Sequence, residues 1–302
     1  MTHKSAFITI VGRPNVGKST LVNTLVGEKV AITSHHPNTT RGAIRGIITR
    51  PDFQLVITDT PGFHKPKTLL GGALNAHVNE ALEDVDIIVF CIPANEEIGR
   101  GDEFIAQQIS TSPHSKKICV LTKIDTVAKA NIAEQLLAIT QLAQKSGFEW
   151  NEVVPVSAKK EFQVELLIDL LARYAQEGPA FFPSEMRSDQ ERDSVIAELI
   201  REAAIAELFE EVPHSVAVTI EEIAQREGKN FWDIHASIIV ERDSQKAILI
   251  GKGGSHLKSI GTRARAEIER YLGGKIFLGL QVRVMSNWQS DPKSLERLGF
   301  TL

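Results

Sequence analysis

The sequence predicts a doubly wound α/β domain over residues 1–177, a linker over 178–190 and a smaller α+β domain over 191–302. Three observations carry that expectation. Short apolar runs alternate with amphipathic stretches from Ala6 to about Glu177, as in a mostly parallel sheet covered on both faces. Gly178-Pro179-Ala180-Phe181-Phe182-Pro183-Ser184 then breaks the alternation with two prolines. Beyond it the order changes to a long helix, two strands and a glycine-rich turn leading into a further helix.

Taken in order, the strand patterns are Ala6–Val11, Arg45–Thr49, Phe53–Thr58, Asp86–Ile92, Ile118–Leu121 and Glu152–Pro155, which makes a six-stranded sheet. Helical patterns fall at Ser19–Val26, stopped by Gly27, and at Asp102–Ser110, Thr126–Lys145 and Glu161–Gln176. Only Arg45–Thr49 and Phe53–Thr58 are joined by a short turn, Arg50-Pro51-Asp52, so one pair is antiparallel. In the second domain, Val195, Ile196, Leu199, Ile200 and Ala203 recur on one face of a helix expected over Asp189–Glu211. Ser215–Ile220 and Trp232–Val240 read as antiparallel strands around Glu227-Gly228-Lys229-Asn230.

Composition sets the class. Hydrophobic content of 42% and charged content of 24% over 302 residues are those of a soluble globular protein. No run reaches the ~20 apolar residues of a membrane span, and the first strand begins too early to leave room for a signal peptide, so a cytosolic monomer is expected. Cys91 and Cys119 lie inside apolar strand patterns and read as core, and nine histidines show no zinc-ligand spacing. The net charge of −4 hides an asymmetry: Ser184–Ser237 carries 5 Lys and Arg against 13 Asp and Glu, whereas Ile238–Leu302 carries 11 against 6. A basic segment on an acidic chain suits a localized anionic partner, either RNA or lipid head groups.

Gly12-Arg13-Pro14-Asn15-Val16-Gly17-Lys18-Ser19 matches the phosphate-binding loop G-x-x-x-x-G-K-[ST] in full, with Thr20 next on the helix. Glycines let successive backbone N–H groups surround a polyphosphate. Lys18 supplies a charge for the β/γ-phosphates, and the Ser19 hydroxyl is a ligand for Mg²⁺. The loop lies between a strand and a helix, so the helix dipole also favours an anion there.

Three further segments follow in the order of a GTPase. Asp59-Thr60-Pro61-Gly62 ends the third strand, where Asp59 can hold Mg²⁺ through water and the Gly62 amide can meet a γ-phosphate. In Thr122-Lys123-Ile124-Asp125, the Asp125 carboxylate is placed for the N1–H and N2–H₂ donors that guanine has and adenine lacks, with the Lys123 stem over the base. Ser157 and Ala158 can offer backbone N–H groups to the guanine O6. One position departs from the usual pattern: Thr122 stands where Asn is common, so the amide that bridges base and phosphate loop is missing. In Asn38-Thr39-Thr40-Arg41-Gly42, Thr40 is the expected switch residue that completes Mg²⁺ coordination while the γ-phosphate is present. Phe63 stands where a Ras-type enzyme carries Gln, and an apolar ring cannot orient water, so slow unassisted hydrolysis is expected. Asn15 and the T-T-R switch resemble GTPases that recruit K⁺ to the phosphates, which makes Asn15 a candidate K⁺ ligand.

The other informative stretch is Gly251-Lys252-Gly253-Gly254, a G-x-x-G loop before an amphipathic helix running to Tyr271. Such a loop lets a sugar-phosphate backbone lie against it, and the flanking elements of a KH domain form a groove for about four unpaired nucleotides. Lys252, Lys258 and Arg263 are the candidate phosphate contacts. A dinucleotide-binding turn is the rival reading, but it needs a parallel strand-helix-strand unit, and the preceding strands read as antiparallel.

A T-T-R-type G domain followed by a KH domain resembles the Era family of bacterial GTPases, and the resemblance covers essentially the whole chain. G-R-P-N-V-G-K-S, D-T-P-G-F-H-K-P, I-V-E-R-D-S-Q-K and I-G-K-G-G-S-H-L-K-S-I-G carry it. The resemblance implies the helix-first, three-stranded type II KH topology, GTP hydrolysis with Mg²⁺, and binding to 16S ribosomal RNA near its 3′ end. It also implies a role in assembly of the 30S subunit and loose association with the inner membrane surface. The alternative is a passive RNA-binding protein in which GTP is a structural ligand. A tandem-GTPase or tRNA-modifying relative would need a second G domain or a folate-type module, and the chain has neither.

Overall fold

A computed structural model describes residues 3–33, 44–62, 68–82, 85–206, 208 and 212–300. In chain order the elements of the first part are β1 (Lys4–Val11), α1 (Lys18–Val26), β2 (Ile44–Arg50), β3 (Phe53–Asp59), α2 (Leu69–Glu80), β4 (Ile87–Pro93), α3 (Arg100–Ser110) and β5 (Lys116–Thr122). They continue as α4 (Lys129–Lys145), β6 (Glu152–Pro155), α5 (Val164–Tyr174) and β7 (Gln176–Glu177). The remaining elements are α6 (Arg192–Ile205), β8 (Ala217–Gln225), β9 (Phe231–Val240), α7 (Asp243–Ile250), α8 (Ser255–Leu272), β10 (Lys275–Val284) and α9 (Pro292–Arg297). The chain divides into two compact units, and Gln190–Leu302 makes up the bulk of the second.

The first unit is a sheet of order β2-β3-β1-β4-β5-β6. All neighbours are parallel except β2 and β3, the pair expected from their short connection. Every residue of β4 is buried, because helices cover both faces of the strand. On one face Leu21, Val22 and Leu25 of α1 meet Leu167 and Leu171 of α5; on the other lie Ile105 and Ile109 of α3 with Ile139 and Leu142 of α4. The two-residue strand β7, not expected from sequence, pairs antiparallel with the start of β1. The loops after β1, β3, β5 and β6 therefore open at one edge of the sheet, where ligands bind in doubly wound folds.

Residues 178–189, expected to be a linker, lie along this unit as a strap. The Gln54 side chain, fully buried on β3, accepts from the Phe181 and Phe182 N–H groups and donates to the Phe182 carbonyl. Phe181 packs on Phe7 at 4.8 Å between ring centroids. Ile47 N–H donates to the Arg187 carbonyl at 2.8 Å, Ser188 bridges Gly46, and Arg45 pairs with Asp189 at 2.9 Å. The strap thus covers the free edge of β2, whose unpaired backbone groups would otherwise face water. It also corrects the expected helix over Asp189–Glu211. The helix begins only at Arg192, after Glu191 in extended geometry, because backbone pairing takes Arg187 and Ser188 and the Asp189 carboxylate is held by Arg45. Its described end is Ile205; residues 207 and 209–211 lie outside the described residues.

Two other helices start later than their periodicity suggests. A 3₁₀ turn at Ile124–Thr126 delays α4 to Lys129. Glu161 and Gln163 take left-handed φ of 52° and 59°, while Ser157 and Phe162 exchange backbone hydrogen bonds, which holds α5 back to Val164.

The second unit is a three-stranded sheet of order β10-β9-β8, with β8 antiparallel and β10 parallel to β9. Ile234, Ala236, Ile238 and Val240 alternate onto one face of β9, where Ile196 and Ile200 of α6 and Ile260, Ala264 and Ile268 of α8 cover them. The order helix, strand, strand, helix, helix, strand is the expected type II KH topology.

Candidate nucleotide and RNA sites

The loop between β1 and α1 is shaped from outside by groups that hold its carbonyls. Lys18 Nζ donates to the Gly12 carbonyl at 3.1 Å and the Arg13 carbonyl at 2.9 Å. Lys123 Nζ donates to the Asn15 carbonyl at 2.7 Å, and Thr122 Oγ1 donates to the Val16 carbonyl at 2.5 Å. With these four oxygens engaged, the N–H groups of the loop are what remains to meet an anion. Asn15 holds a left-handed φ of 63° and Gly17 one of 101°, the latter a conformation that favours glycine. Gly62 is needed for a different reason: a Cβ there would stand 2.7 Å from Pro14 N, so the loop after β3 abuts the phosphate loop.

Burial pushes the Lys18 ammonium below its usual range, and the nearby Asp59 carboxylate opposes that shift. A bound polyphosphate would supply the missing counter-charge. Ser19 Oγ donates to Asp59 Oδ2 at 2.6 Å, which brings a hydroxyl and a carboxylate together as hard oxygen donors. That donor set fits Mg²⁺. Thr60 Oγ1 donates to the Ile10 carbonyl at 2.8 Å and fixes the turn that follows Asp59. Pro61 and Gly62 are buried beside it, whereas Thr20 is exposed on α1.

At the guanine end, Ser157 Oγ donates to Asp125 Oδ1 at 2.6 Å, which orients the carboxylate; Ala158 follows, half-buried. The Thr122 hydroxyl makes a local hydrogen bond in place of the missing amide and ties β5 to the phosphate loop through Val16. The Arg13 guanidinium pairs with Asp102 at 2.9 Å and Glu96 at 3.1 Å, which leaves its backbone N–H as the group it can offer to a phosphate. Thr40 and Phe63 lie outside the described residues. Sequence reasoning missed Asn23, whose side chain holds the Val30 and Ala31 N–H groups and the Ala31 carbonyl beside α1. It also missed Glu96 and Asp102; acidic residues in a loop and on a helix give no signal until the fold places a guanidinium between them.

In the second unit, the flanking strands β9 and β10 are parallel, but the G-x-x-G loop joins α7 to α8 and does not follow a strand directly, as the turn of a dinucleotide site does. Gly253 and Gly254 have φ of 57° and 79°, and a Cβ on either would meet nothing within 4 Å. Backbone conformation favours glycine there, and the open space lets another backbone approach. Gly251 is closed instead, with a Cβ placed 2.8 Å from His256 Cβ, and His256 Nδ1 lies 2.9 Å from the Ile248 carbonyl. Lys252 and Lys258 are exposed. Arg263 differs from them: it is half-buried and donates to the Ala203 carbonyl of α6 at 3.1 Å, which gives its guanidinium a packing role.

The family model for the 50S ribosome-binding GTPase matches residues 7–123, and that for the KH domain matches residues 211–289. The GTPase Era of Mycobacterium avium is 52% identical over 299 residues, covering 98% of this chain and 99% of its own. That of a Nocardioides species is 51% identical over 302 residues, covering 99% and 96%. A crystal structure of Era in complex with MgGDPNP and nucleotides 1506–1542 of 16S ribosomal RNA superposes with a TM-score of 0.93 at 37% identity, covering 99% of this chain and 100% of that one. A variant of Aquifex aeolicus Era bound to GDP and AlF₄⁻ gives the same TM-score at 36% identity, again over 99% and 100%. The likeness thus runs over nearly the whole of this chain and of its relatives at about half of all positions, and the chain belongs to the Era family of GTPases.

Proposed function

We propose that this GTPase is a switch that binds the 3′ region of 16S ribosomal RNA and acts in assembly of the 30S subunit. The observation that carries the reading is the coexistence of a braced phosphate loop with an open G-x-x-G loop flanked by exposed Lys252 and Lys258. GTP is held by the loop N–H groups and Lys18, and the base is read by Asp125. Mg²⁺ would be held by Ser19, by Asp59 through water and by Thr40, and when bound it neutralises charge on the β/γ-oxygens. Gly62 meets the γ-phosphate, and its packing on Pro14 links the state of the phosphate site to the segment that follows. Thr40 would let go of Mg²⁺ once the γ-phosphate is lost, which is what makes the reading a switch. Because Phe63 cannot orient water, turnover is slow alone, and K⁺ near Asn15 is the activator this reading assigns. Peripheral contact with the cytoplasmic membrane surface rests on the same C-terminal cations, since anionic head groups offer them the same charge as phosphates.

The test is GTP turnover in K⁺ and in Na⁺ buffer, with and without a single strand copying the 16S 3′ region. Stimulation by RNA is expected, and it should vanish in the Lys252→Asp/Gly253→Asp variant while GDP binding stays unchanged. Turnover indifferent to RNA would favour a passive RNA-binding protein with GTP as a structural ligand. Equal rates in the two salts would remove K⁺.

A further inference from the structure

Arg13 and Lys123 belong to different nucleotide-binding segments, yet both face one carboxylate that neither motif contains. Glu96 follows β4 in the turn before α3. Its Oε2 lies 3.1 Å from Arg13 NH1 and its Oε1 lies 4.0 Å from Lys123 Nζ. The Glu96 backbone is itself fixed, because Gln135 Nε2 of α4 donates to its carbonyl at 2.9 Å. We propose that Glu96 is a positioning residue for nucleotide retention, joining the phosphate loop and the guanine-recognition turn into one unit. The inference rests on the assignment of that pair of segments as the GTP site.

Two carboxylates meet Arg13, and their roles separate. Asp102 is fully buried; Oδ1 accepts from Arg13 Nε and Oδ2 accepts from the Gly99 N–H at the start of α3. Its removal would leave a half-buried guanidinium short of a partner and disturb the helix end, so Asp102 anchors the fold. Glu96 is 41% exposed, and the fold asks little of it. What it does is local. Its charge lies between two cations, offsets their mutual repulsion and keeps the Lys123 ammonium where it can donate to the Asn15 carbonyl. Asn15 holds the left-handed turn of the phosphate loop, and in the proposed site the Lys123 stem would cover the base. Loss of the Glu96 charge therefore frees Lys123 from one of two restraints and loosens both ends of the site together. A loosened site raises the dissociation rate far more than it lowers the association rate.

Glu96→Gln keeps the shape and removes the charge. Release of a fluorescent N-methylanthraniloyl-GDP at low salt should be about two- to five-fold faster than from the unaltered protein, the range for a half-exposed ion pair. Sodium chloride should speed release from both proteins, because it screens the phosphates, but the ratio between variant and unaltered protein should fall towards one as the Glu96 attraction is screened. Glu96→Asp should recover part of the retention, and melting temperatures of the nucleotide-free proteins should coincide. Equal release rates for Glu96→Gln and the unaltered protein at low salt would overturn the inference, as would a ratio of the two rates that salt leaves unchanged. Failure of the unaltered protein to take up the probe would instead overturn the site assignment beneath it.

Discussion

At the scale of the residue, one hydroxyl shows how chemistry survives a change of side chain. Thr122 has a single proton to donate, and it goes to the Val16 carbonyl, with the Ile92 carbonyl at 3.3 Å as the next acceptor. The tether to the phosphate loop is thus kept, and in the proposed reading discrimination of the base falls to Asp125. Thr122→Val should leave the buried Val16 carbonyl without this donor and speed GDP release about five- to thirty-fold, whereas Thr122→Ser should behave as the unaltered protein. Stopped-flow release of labelled GDP decides it: equal rates for the Val and Ser variants would show that the hydroxyl carries no retention. Cys91 teaches the converse. It lies under the phosphate loop, and burial pushes its thiol up to about 12, so it stays a neutral thiol and part of the core, as its apolar neighbours suggest.

At the scale of the element, the strap over 178–189 is an edge-strand cover built around one side chain. Gln54 satisfies two N–H groups and a carbonyl of the strap from inside the sheet, and its amide also reaches Thr49 Oγ1 at 2.9 Å. Gln54→Ala should cost about 2–3 kcal/mol in denaturant unfolding, because buried backbone groups lose their partners. A loss under 0.5 kcal/mol would mean that water replaces the amide and that the strap is held by Phe181 and the β2 edge alone. The same strap explains why the helix expected from Asp189 starts at Arg192. Periodicity sees side chains, and a hydrogen-bonding edge elsewhere in the chain can claim the backbone first.

At the scale of the whole molecule, the charge asymmetry becomes chemistry only after burial is known. Lys258 and Arg263 both lie in the basic segment, but Lys258 is exposed while Arg263 is turned to the Ala203 carbonyl. Lys258→Gln should lower the slope of log affinity against log salt for single-stranded RNA by about 0.7, the value per phosphate contact on a single strand. Arg263→Gln should leave the slope in place and lower the unfolding midpoint. If both variants change the slope equally, the Arg263 guanidinium reaches the RNA.

No helix among the described residues is long and apolar enough to cross a membrane, in keeping with the absence of a long apolar run in the sequence. Both folds, the antiparallel pairing of β2 with β3, and the places of Lys18, Ser19, Asp59, Asp125 and the G-x-x-G loop on their elements were legible in the sequence, whereas the antiparallel pairing of β7 with β1 was not. Each legible feature depends on local rules: apolar period, turn chemistry, or a backbone that must turn on glycine. The strap on β2, the reach of Glu96 to two cations, the pairing of Arg13 with Asp102 and the packing role of Arg263 were not legible. They join residues far apart in the chain, and a long polar side chain has no fixed partner until tertiary packing fixes which charge stands beside it.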